Sequence, residues 1–124
     1  MKKLLSKITI VAFMLTLFVS LNTASAAAED PTLKLVEEPS KVCMVNDRFM
    51  FAEQIEVKVG EKTYYGCCAG CVKKIQNNQT IRESTDPVSG ETVDKASAVI
   101  GMKQTGEVLY FENKDNFDSY GEKK

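Results

Sequence analysis

From Ile55 the chain alternates apolar and polar side chains, Ile-Glu-Val-Lys-Val, before Gly60-Glu61-Lys62 leads into Thr63-Tyr64-Tyr65. A period of two followed by a glycine-led turn predicts a β-hairpin, because successive strand residues face opposite sides. Val72 and Ile75 then stand three apart among Lys73, Lys74, Gln76 and Asn77, which predicts a short amphipathic helix over 69–78, ended by Asn77-Asn78 and the turn-rich "STDPVSG". The grammar returns further on. Ala98-Val99-Ile100-Gly101-Met102 reads as a strand, 104–107 as a turn and Val108-Leu109-Tyr110-Phe111 as a second strand. A short helix over 114–120 follows, with Asn113 as its cap and Phe117 and Tyr120 on one face.

A shift of 45 positions lays Tyr65 on Tyr110, Cys67 on Glu112, Cys71 on Asn116, Val72 on Phe117 and Ile75 on Tyr120. One extra residue in the earlier connection lays Cys43 on Ser89. Either this is an internal repeat whose second copy lacks thiols, or two small hairpin–helix units merely look alike. The predicted fold class is small α+β: a β-hairpin plus short helix, followed by a second similar unit lacking cysteines. Residues 27–40, charged and proline-bearing, read as a flexible or extended lead-in.

The first segment changes how the rest is counted. Lys2, Lys3 and Lys7 precede an apolar run over 8–21, and Ala24-Ser25-Ala26 supplies the small residues that signal peptidase cleaves. The run is shorter than the roughly 20 residues of a spanning helix. Residues 1–26 are therefore expected to be a signal peptide, the product periplasmic or secreted, with no membrane partner after cleavage. Losing those three lysines leaves 13 of the 16 basic residues against 17 acidic ones, a net charge near −4. With no basic cluster, nucleic acid is not an expected partner.

Against that background the 124-residue chain holds no histidine and four cysteines: Cys43, then Cys67, Cys68 and Cys71 in "TYYGCCAGCVKK". In an oxidising compartment exposed thiols tend to become disulfides, so the cluster needs a metal, redox or disulfide explanation. If Cys67 ends the hairpin and Cys71 opens the helix, the two share a face. Thiolates can then meet an ion at about 2.3 Å, with Cys43 returning across the hairpin. Sulfur donors without histidine suit Cu(I) or Zn(II). Three thiolates fit trigonal Cu(I), whereas zinc would take a fourth donor from Cys68, Asp47 or water.

Other readings stand beside this one. Cys68 shares the helix face of Val72 and Ile75 and is equally a small buried hydrophobe. Cys43 could form a disulfide with any of the other three. Met44 and Met50 are thioether donors or packing against Phe49 and Phe51, and Tyr64 and Tyr65 are the two faces of a strand. Cys68-Ala69-Gly70-Cys71 is also a Cys-x-x-Cys at a helix start, the arrangement of a thiol-disulfide redox protein. No Ser-His-Asp set, phosphate loop or HExxH helix is present, so no enzyme activity is expected.

"GEKTYYGCCAGCVKK", preceded by "VCMV" at Cys43, resembles the TRASH domain (trafficking, resistance and sensing of heavy metals) and the related YHS domain. In those families a first cysteine is followed after about twenty residues by "YYFCC-x-x-C" or "YYFC-x-x-x-C". The likeness covers roughly residues 41–78. "DPVSGETVDKASAVIG" with "LYFENKDNFDSY" is similar to a second YHS unit, with serine in its usual "DPVCG". The resemblance implies a treble-clef or zinc-ribbon-like fold over 41–82 and a degenerate YHS-like unit over 85–124. It also implies heavy-metal binding by Cys43, Cys67 and Cys71, with Ser89, Glu112 and Asn116 at the equivalent places in the second half. The expected partners are the metal ion and a metal donor or acceptor protein.

Overall fold

Alternation over 55–59 and the Gly60 turn do produce a hairpin. In the computed structural model, which describes residues 33–122, β4 (Ile55–Val59) pairs antiparallel with β5 (Lys62–Gly66), and Gly60 takes φ +64°, the left-handed conformation that glycine adopts without strain. Its inward residues Val57 and Tyr64 are buried. Helix α1 (Ala69–Asn77) follows and lays Cys71 and Ile75 on the hairpin. The signal-peptide reading of 1–26 lies outside the described residues, and among those no helix is long and apolar enough to cross a membrane.

Forty-five residues later the plan recurs. Strands β8 (Val99–Met102) and β9 (Val108–Phe111) pair antiparallel, and helix α3 (Lys114–Glu122) covers the same span as α1 after the shift. The Asn113 side chain accepts from the Asn116 N–H at 2.8 Å, as an N-cap does. Phe117 and Tyr120 both meet Phe111 edge-on, with centroids 5.6 Å apart.

Between and around these units lie elements too short to predict. β1 (Lys34–Leu35) joins the edge of β8, so part of the stretch read as a lead-in is extended and paired, while its end winds into a 3-10 turn over Pro39–Lys41. β2 (Val42–Cys43) and β3 (Arg48–Phe49) form a small hairpin. Helix α2 (Gln79–Arg82) starts at Asn78, whose side chain accepts from the Thr80 N–H at 3.0 Å. It is followed by β6 (Glu83–Thr85) and its partner β7 (Thr92–Asp94). The result is a small α+β fold of several short antiparallel hairpins and a few helices.

Both halves contribute to one core, with Val42, Met44, Val57, Tyr64 and Ile75 from the first and Val93, Ile100, Val108 and Tyr110 from the second. Polar ties cross the same boundary. Asp94 accepts from Lys62 Nζ at 2.7 Å and from Tyr64 Oη at 3.0 Å. Burial and then the Asp94 carboxylate push the Tyr64 phenol up to about 12, so it remains a donor. Lys95, only 5% exposed, sends its ammonium to the Met44 carbonyl at 2.8 Å and to Asp47 Oδ1 at 2.6 Å.

Candidate metal centre

Cys43 stands at the end of β2, and the loop after it closes through Asp47 at φ +51°. The loop is pinned from two directions: the Met44 N–H donates to the Tyr65 carbonyl at 2.9 Å, and Lys95 holds the Met44 carbonyl and Asp47. Joining residue 44 to residue 65 brings Cys43 to the end of β5, where Cys67 begins the turn into α1. Cys71 sits one turn into that helix on its inward face, four residues before Ile75.

Three sulfurs converge. Cys43 Sγ lies 4.0 Å from Cys71 Sγ, Cys67 Sγ lies 3.5 Å from Cys71 Sγ, and all three fall within 4.8 Å of one another. Metal–sulfur bonds of about 2.3 Å place sulfurs about 4.0 Å apart in a trigonal site and about 3.8 Å apart in a tetrahedral one, so only small movements would seat an ion. None of the distances approaches the roughly 2.05 Å of a disulfide, and all four cysteines are free in this structure. Cys43 and Cys71 are buried while Cys67 is half-buried, which leaves the centre one approach from solvent.

Close helix packing makes this possible. A Cβ on Gly66 would lie 2.9 Å from Cys71 Cβ and 3.4 Å from the Cys71 carbonyl carbon. Gly66→Ala is therefore expected to push α1 off the hairpin, destabilising the protein by about 1–3 kcal/mol in chemical denaturation and weakening metal binding.

The protonation pattern differs among the four thiols. Burial raises Cys43, but the N–H groups of Asn46, Val45 and Cys67 outweigh it and hold the thiol below its ordinary value. Hydrogen bonding to the sulfurs of Cys43 and Cys71, with some burial, pushes Cys67 up to about 12. Burial also raises Cys71. Cys68 is lowered, first by the Cys71 N–H at the helix start.

The remaining candidates fall elsewhere. Cys68 is exposed, which removes the buried-hydrophobe alternative: it is the N-cap of α1, with extended φ −156°, and so leaves the helical phase of Val72 and Ile75. Its Sγ is 3.5 Å from Cys71 Sγ, yet it stands outside the set of three mutually close sulfurs. Asp47 is engaged by Lys95. Met44 packs in the core, and Met50 is exposed. Tyr64 and Tyr65 do face opposite ways, Tyr64 buried and Tyr65 half-buried.

Sequence reasoning missed three contributors: Gly66, Lys95 and Asn46, whose amide donates to Cys67 Sγ at 3.6 Å. It also missed Asp86. Ser89, Glu112 and Asn116, the positions matched to the three cysteines, converge on the fully buried Asp86 carboxylate. Oδ1 accepts from the N–H of Val88 at 2.7 Å and of Ser89 at 3.2 Å; Oδ2 accepts from the Glu112 N–H at 2.7 Å and Asn116 Nδ2 at 2.8 Å. The Asp-Pro of "DPVSG" was the available signal, since aspartate before such a turn accepts from backbone N–H groups two and three residues on. In comparisons with protein-family models, curated proteins and solved structures, nothing matched this chain.

Proposed function

We propose that this protein binds one soft metal ion, Cu(I) or Zn(II), through Cys43, Cys67 and Cys71, and sequesters it or hands it on without catalytic turnover. The observation that carries the reading is the convergence of these three sulfurs from two distant parts of the sequence. Three thiolates suit trigonal Cu(I); Zn(II) would add a donor from solvent. The motif likeness to TRASH and YHS domains supports a treble-clef-like arrangement, with the small β2–β3 hairpin and the start of α1 supplying ligands. The pattern of residues 1–26 supports export to the periplasm or beyond, where a metal donor or acceptor protein would be the partner.

Anaerobic preparation of the chain from residue 27, with elemental analysis and thiol counting on one sample, tests this. One copper or zinc per chain is expected, with the ligand thiols protected from alkylation. Absence of bound metal at any added copper or zinc overturns the reading.

A second reading has one observation in its favour: Cys68, exposed and at a helix start, lies 3.5 Å from Cys71. These two thiols could close and reopen as a redox pair. Turnover in an insulin-reduction assay by the metal-free protein would favour it over metal binding.

A further inference from the structure

Cys68 is the thiol that the three-sulfur site does not use. It is exposed, whereas Cys43 is fully buried at 0% and Cys71 is 6% exposed. Its sulfur nevertheless lies as close to Cys71 Sγ, 3.5 Å, as does that of Cys67. Cys71 is therefore a hub with Cys43 on its inner side at 4.0 Å and Cys68 on its outer side. Two overlapping sulfur groupings result: an inner set of Cys43, Cys67 and Cys71, and an outer pair, Cys71 and Cys68, that shares its hub.

Resting on the metal-binding reading above, we propose that Cys68 is the transfer ligand through which a bound soft ion leaves, passing from the inner set to the outer one before a thiol- or thioether-bearing acceptor takes it. The step is a ligand exchange with no change of oxidation state. The Cys68 sulfur forms a bond to the ion as the bond to Cys43 breaks, and the proton released by the Cys68 thiol ends on Cys43. Cys71 holds the ion throughout, so it is never released to water. The geometry explains why a thiol is kept at an exposed N-cap, where serine or aspartate would cap the helix better: Cys68 makes no side-chain capping hydrogen bond. With Cys43 and Cys71 buried, an external ligand meets the inner set from the side of the half-buried Cys67. One exposed sulfur beside the hub allows the bonds to be replaced singly.

The test compares the wild type with Cys68→Ser, both loaded anaerobically with one equivalent of Cu(I) and mixed with excess bathocuproine disulfonate. A parallel arm uses Zn(II) and 4-(2-pyridylazo)resorcinol. Serine is a favoured N-cap, so the variant is expected to fold at least as well as the parent. Unchanged stoichiometry, equilibrium affinity within about threefold and a transfer rate lowered at least tenfold are the expected results for the ion the protein binds. Equal transfer rates overturn the proposal. So does a variant that loses its metal, because Cys68 would then be a resident ligand, although metal binding by the protein would stand. A wild type that takes up neither ion brings down the metal-binding reading itself, and this proposal with it.

Discussion

Replacing Cys71 with serine is expected to abolish metal binding, lowering affinity more than 100-fold and bringing the stoichiometry from one ion per chain to none at micromolar metal. The size follows from position. Cys71 is the one sulfur within 4.0 Å of each of the other three, so removing it leaves Cys43 and Cys67 without the member they share. Loss of an outer-shell partner alone costs 10–100-fold at metal sites, and a bonded thiolate counts for more. Competition against a chromogenic chelator measures the effect. Because a hydroxyl at a site only 6% exposed could itself destabilise the fold, Cys71→Ala is measured alongside, with the unfolding midpoint of the metal-free forms as the control. A Cys71 variant that still holds one tightly bound ion would refute the ligand assignment.

The largest expected effect on stability comes from the other half. Asp86→Ala is expected to cost about 3 kcal/mol or more at neutral pH, since four donors inside the fold lose their acceptor. Burial by itself would raise the Asp86 pKa, but the Glu112 N–H, the Asn116 amide and the N–H groups of Val88 and Ser89 outweigh it and hold the carboxyl below its ordinary value. A folded value below the unfolded one contributes stability above the unfolded pKa of about 3.9 and loses it as pH falls through the folded value. The gap between wild type and Asp86→Ala should therefore narrow as denaturation is repeated from pH 7 down to pH 3. Asp86→Asn is expected to recover little, because its amide would point a donor at donors. A gap independent of pH would mean that the carboxylate charge does not contribute.

Much of the scaffold was legible because it is periodic. The 55–59 alternation, the Gly60 turn and the Val72 and Ile75 spacing each express a local rule, and the 45-residue offset carried the same rules to the second half. Strands of two or three residues were not legible. Val42–Cys43 or Thr92–Asp94 has no room for a period, and such strands exist because tertiary partners pair with them. The three clustered cysteines could be named from the sequence by residue type and spacing, but how Cys43 reaches the other two could not. That depends on the Met44 N–H meeting the Tyr65 carbonyl and on a buried lysine, a residue type ordinarily assigned to the surface. Cys68 was placed on the wrong side because one residue separates helical phase from the extended cap.

Lys95 ties the two halves together. Its reach from the thiol-free half into the loop behind Cys43 means that the second half serves as a foundation for the first. That half could not be removed without undermining the loop it supports. The thiols lie on one side, and part of the rigidity that places them is supplied from the other.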